Sequence, residues 1–111
     1  MAAADPRIRN IKIKTGVVKR LTKEKSMYEQ EAKQFAEKVE KMKADKKDEY
    51  DIRKQTEVAE ESKMMIPDTL RRLGSATNEL ENILKQEDDL AETEEYKAAR
   101  ECLVLANNAI A

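Results

Sequence analysis

Apolar residues recur every three and four positions along two long stretches of this chain, and the second stretch keeps its register through a proline. The first ladder is Ile11, Lys14, Val18, Leu21, Lys25, Tyr28, Ala32, Phe35, Val39 and Met42, in which eight of ten positions are apolar. The second is Ile52, Ala59, Ile66, Leu73 and Leu80, each seven residues from the last. A 3-4 alternation puts one stripe on one side of a helix, the seam of helices packed side by side. Pro67 follows Ile66 directly, yet Leu73 and Leu80 stay in phase. A true break would shift the phase, because linker lengths are arbitrary. The spacing therefore predicts one helix over residues 48 to about 86, bent at Pro67, where the missing N–H leaves the Lys63 carbonyl without its helical donor; the alternative is two helices, with Pro67 at the first position of the second.

The ends of these stretches carry helix signals. Asp5-Pro6 reads as an N-cap followed by proline at the first helical position, so the first helix is expected over residues 6 to 43. Its length is about 57 Å at 1.5 Å per residue. The segment ADKKDE, 44 to 49, interrupts the pattern without Gly or Pro, and Asp48 is the expected N-cap of the second helix. After EDDLAET, 87 to 93, Thr93 can cap a third helix whose ladder is Tyr96, Ala99, Leu103, Ala106 and Ile110. Short connections make successive helices antiparallel. Seam residues of the two long helices then pair so that their numbers add to 91, for example Ile11 with Leu80 and Val18 with Leu73. The midpoint falls between residues 45 and 46, at the expected turn. The fold class is all-α: an elongated antiparallel bundle of two long helices and a shorter third, forming one domain over residues 1–111.

Composition narrows the function classes. Charged residues make up 41% of the 111 and aromatics 4%, with two Gly and two Pro, a balance that suits long helices and not sheets. There is no His and one Cys, Cys102, so the usual general bases and thiolate chemistry lack their residues. Two isolated glycines cannot build a phosphate loop. Glu87, Asp88 and Asp89 lack the spacing and glycine of a calcium loop and read as a solvated connection. The chain is therefore not expected to be an enzyme or to hold a metal or cofactor. No window of 18 apolar residues would span a membrane, and the N-terminus lacks the apolar core of a signal peptide. A cytoplasmic protein is expected.

Charge is unevenly placed. Residues 7 to 25 hold eight basic residues (Arg7, Arg9, Lys12, Lys14, Lys19, Arg20, Lys23, Lys25) and one acid, Glu24. Residues 77 to 101 hold nine acids and three bases. The expected fold lays these segments side by side, so much of the basic run should be answered within the molecule. With a net charge of -1, nucleic acid is not an expected partner.

Four words in the chain resemble a known family. They are IKIKTGVVKRL at 11 to 21, MYEQEAK at 27 to 33, YDIRKQ at 50 to 55 and ESKMMIPD at 61 to 68. In order and spacing they are similar to tubulin-folding cofactor A, also called tubulin-specific chaperone A. Relatives often carry Cys after the MMIPD word, where this chain has Thr69. The resemblance implies a three-helix rod, cytosolic and cytoskeleton-associated. It implies capture of β-tubulin as a quasi-native monomer, without ATP, before other tubulin-folding cofactors assemble the α/β heterodimer. Binding in the family is attributed to the helical surfaces. The alternative is a structural coiled coil that tethers or dimerises other proteins. A spectrin-type repeat would have three helices of similar length and a core Trp.

Candidate partner-binding residues follow from the register. Ile66 faces the seam, Met65 lies on its flank, Met64 points outward, and Met27 is level with Met64 on the first helix. Met27, Met64 and Met65 are the candidate apolar patch, with Lys25 and Lys63 at its rim. Methionine is flexible and polarisable, and can mould to an incompletely folded partner. Gly16, on the outer face of the first helix, is a further candidate, for close approach of a partner backbone.

Overall fold

The structure is a computed structural model that describes residues 5–111. Three α-helices account for most of them: α1 Pro6–Ala44, α2 Glu49–Gln86 and α3 Glu94–Ile110. A single 3-10 turn at Asp88–Leu90 lies between α2 and α3, and no strand occurs among the described residues. Helix α2 runs through Pro67 without interruption.

The expected caps are in place. The Asp5 carboxylate accepts a hydrogen bond from the Arg7 N–H at 2.9 Å, and that of Asp48 accepts one from the Tyr50 N–H at 3.0 Å. The Thr93 hydroxyl accepts from the Tyr96 N–H. Each satisfies one of the four N–H groups that a helix start leaves without a helical partner.

The α1–α2 turn closes without glycine. Lys47 N–H reaches back to the Met42 carbonyl at 3.0 Å and Lys46 N–H to that of Lys43 at 3.1 Å, a Schellman closure. Lys46 occupies the left-handed position, at φ 56°. A side chain there costs roughly 1–2 kcal/mol that glycine avoids. Lys46→Gly should therefore stabilise the protein by about 1 kcal/mol, because part of the relief is offset by glycine's greater freedom when unfolded. An unchanged denaturation midpoint would contradict this.

The chain forms two compact units. One comprises residues 5–23 and 70–111, and the other residues 24–69. The first holds the core, where Ile11, Val18, Leu73, Leu80, Ala99 and Ala106 are fully buried and Leu21, Leu84, Leu90, Tyr96 and Leu103 nearly so. This unit contains segments of all three helices. The buried Tyr96 hydroxyl donates to the Leu84 carbonyl at 2.8 Å, supplying a partner where the end of α2 has no helical donor left. The Thr77 hydroxyl is buried without a hydrogen-bond partner among the described residues.

The second unit is a two-helix hairpin. Val39 is its one buried apolar residue among those described. The rest of its ladder, from Tyr28, Ala32 and Phe35 to Ile52, Ala59 and Ile66, is half-buried. Two helices cover only one stripe of each other, so the flanks of the seam residues other than Val39 stay open to water.

Candidate partner-binding surface

The hairpin unit carries five of the six candidate residues. Met64 is 72% exposed, Met27 44% and Met65 38%, large values for thioether side chains. Met64 and Met65 lie on α2 and Met27 on α1, all within residues 24–69. Lys63 is exposed beside Met64. Lys25 is different: its side chain is only 16% exposed, and its ammonium lies 3.0 Å from Glu29 one turn on. That follows from its seam position, where the stem is covered and only the charged tip reaches water. Tyr50 and Val58 add exposed apolar surface to this unit. Gly16 lies in the other unit, exposed, and a Cβ added there would meet nothing within 4 Å.

The basic run of α1 divides in two. Arg7 pairs with Glu87 at 2.8 Å, Asp89 at 2.9 Å and Asp5 at 3.0 Å. Hydrogen bonds from Arg7 hold the Asp5 carboxyl below its ordinary range. Lys14 pairs with Glu79 at 2.8 Å. These contacts realise the expected facing of residues 7–25 with 77–101. Arg9, Lys12, Lys19 and Lys23 do not join in it: all four are exposed, with no carboxylate at ion-pair distance among the described residues. The expectation that much of the basic run is answered internally holds for Arg7 and Lys14, while Lys25 pairs within its own helix and those four make no ion pair among the described residues. The cause is angular: Arg7 and Lys14 lie near the seam of α1, whereas the other four sit away from it, with Lys12, Lys19 and Lys23 on the side turned toward α3.

Sequence reasoning passed over one part of this surface. Between α1 and α3 run two shallow apolar grooves. One, of about 220 Å³, is lined by Lys12, Thr15, Glu94, Glu95 and Ala98. The other, of about 130 Å³, is lined by Lys19, Thr22, Lys23, Cys102 and Leu105. Leu105 is 66% exposed and the neighbouring Val104 58%. The signal was in the sequence, because Val104 and Leu105 fall outside the ladder of α3. Cys102 donates its thiol to the Thr15 carbonyl at 3.7 Å, and burial raises its pKa, so the thiol stays protonated at neutral pH.

Comparison with known proteins agrees with the helical pattern. A family model described as tubulin binding cofactor A matches residues 6–103. The human tubulin-specific chaperone A is 64% identical over 97 residues, covering 87% of this chain and 90% of that protein. A solved structure of human tubulin chaperone cofactor A superposes with a TM-score of 0.80 at 58% identity, covering 92% of this chain and 99% of the other. Tubulin folding cofactor A from Arabidopsis thaliana superposes at 0.84 with 38% identity, covering 93% and 97%. The four words, the three-helix architecture and these matches span nearly the same residues, and the chain belongs to the tubulin binding cofactor A family.

Proposed function

We propose that this protein is a cytoplasmic tubulin-folding chaperone that captures β-tubulin monomers and holds them for assembly with α-tubulin, working with other tubulin-folding cofactors and without ATP. The observation that carries the reading is family membership, with 64% identity to a human protein named tubulin-specific chaperone A. The surface suits the task. Capture and release of a half-ready partner calls for moderate affinity and an adaptable contact. The two-helix hairpin carries Met27, Met64 and Met65, whose apolar area repacks against an irregular partner. Lys63 lies at the edge of that area, where exposed charge guides encounter.

Sedimentation of the pure protein with separated tubulin chains, in the absence of nucleotide, tests the proposal. A stable complex with β-tubulin and none with α-tubulin is the expected result. Equal binding to both chains, or an absolute requirement for ATP, would overturn it. The patch has its own test. Met27→Glu with Met64→Glu places two carboxylates at exposed sites, so helicity and melting should hardly change. Capture of β-tubulin should weaken by about tenfold or more, as for loss of central apolar contacts. Undiminished capture by the double variant would remove the methionines from the binding surface.

A further inference from the structure

The two grooves between α1 and α3 are one site repeated. Lys12 and Thr15 of the first recur seven residues on as Lys19 and Thr22 of the second, and Ala98 recurs as Leu105. Both helices gain seven residues in the same direction. Seven residues rise about 10.5 Å, the distance between side chains seven apart on any α-helix. A third helix laid along this crevice would therefore seat one apolar side chain in each groove, as helices do in receptor grooves.

The groove walls are less polar than their residue names suggest. The Thr15 hydroxyl donates to the Ile11 carbonyl at 2.7 Å and that of Thr22 to the Val18 carbonyl at 2.8 Å. Both are spent on their own helix, which leaves the methyl groups free to face a ligand. Leu105, 66% exposed, stands at one end as an uncovered apolar contact.

The α1 wall is electropositive. Arg9, Lys12, Lys19 and Lys23 lie within about 80° of arc at 100° per residue. They run for about 21 Å along the helix. All four are exposed and lack an ion-pair partner among the described residues. Gly16 sits in the middle of this stripe and presents bare backbone. On α3, Glu94 and Glu95 line the first groove and the exposed Glu101, seven residues after Glu94, flanks the second, which is itself neutral at Cys102 and Leu105. An occupant complementary to both walls carries carboxylates on the flank facing α1, a few basic groups on the flank facing α3, and apolar residues seven apart beneath.

We propose that the α1–α3 crevice receives an acidic amphipathic helix of the captured client, as a second contact apart from the methionine patch. This rests on the chaperone reading above. The crevice supplies orientation and salt-sensitive encounter, because the lysines are exposed and screened by ions, while Leu105 and the threonine methyls supply apolar contact.

The test has two arms. In the first, the probe is a synthetic helical peptide with leucines seven apart and glutamates along one flank. It is titrated against the full chain while alkylation of Cys102, which lines the second groove, is followed. Saturable binding that slows Cys102 alkylation is expected. Lys12→Glu with Lys23→Glu, and separately Leu105→Gln, should each weaken peptide binding by about tenfold with unchanged melting, since all three side chains are exposed. A peptide that fails to protect Cys102 overturns the proposal. Equal protection by polyglutamate or RNA, which lack the leucines, also overturns it and makes the stripe a general polyanion site. Protection that grows with the protein's own concentration, with dimers in sedimentation, overturns it in favour of a second copy. In the second arm, the Lys12→Glu, Lys23→Glu variant is tested for β-tubulin capture. A loss of about tenfold is expected, and capture equal to the unaltered protein overturns the crevice as a client site. Failure of the unaltered protein to capture β-tubulin refutes the chaperone reading instead, and with it the client as occupant. Peptide protection of Cys102 would then support only the acidic-helix chemistry of the crevice.

Discussion

Leu73→Ala lowers the unfolding free energy by about 2–5 kcal/mol, the range for large-to-small changes in a packed core. Leu73 is fully buried and belongs to the cluster that includes Ile11, Val18, Leu80 and Leu103. Two terms add: the transfer energy of the lost methyl and methine groups, and the cavity left where rigid helices cannot collapse. In a small protein that is a large share of a total stability of roughly 5–15 kcal/mol. Urea denaturation followed by circular dichroism measures it. A loss below about 1 kcal/mol, the scale of a surface change, would mean that Leu73 is not packed as described.

Pro67→Ala works in the opposite direction. Pro67 lies inside α2 on an exposed face, so its ring contributes no core packing. Alanine restores the N–H that can reach the Lys63 carbonyl. Proline inside a helix costs about 3 kcal/mol relative to alanine. Its restriction of the unfolded chain returns roughly 0.4–1 kcal/mol. The variant should therefore be more stable by about 2 kcal/mol, the difference of these terms. A midpoint at or below that of the unaltered protein would refute the account. If the local geometry set by Pro67 serves capture, the same variant is firmer and binds β-tubulin less well, a divergence that no simple loss of folding produces.

Most of the helical frame could be read from the apolar spacing. Ile11, Val18, Leu73, Leu80, Tyr96, Ala99, Leu103 and Ala106 all belong to the ladders and all are buried. The cap residues Asp5, Asp48 and Thr93 were equally legible, because capping depends on one side chain and its neighbouring N–H groups. Thr69 and Thr77 were not: both are buried, yet a search for apolar period passes over a hydroxyl. Leu84 and Leu90 lie outside the two-helix seam, and their burial depends on a third helix covering another side of α2. The turn at residues 44–49 was legible from the interrupted ladder, but the left-handed conformation of Lys46 was not, since the residue is not glycine. The candidate surface divided similarly. Exposure of Met27 and Met64 follows from register alone. Which lysines of α1 stay unpaired depends on the angular position of each against residues far along the chain.

The hairpin of residues 24–69, with Val39 as its one buried apolar residue among those described, has a thermodynamic consequence of its own. Local opening costs little where few apolar contacts are lost, so this segment should sample unfolded conformations well before the whole chain does. A partner seated on it must first draw the segment out of those conformations, and part of the contact energy is consumed in doing so. Affinity therefore stays moderate, and dissociation returns the freed segment to its loose ensemble. Under the proposed chaperone role, a grip weakened by its own residual motion would let a held client be passed on.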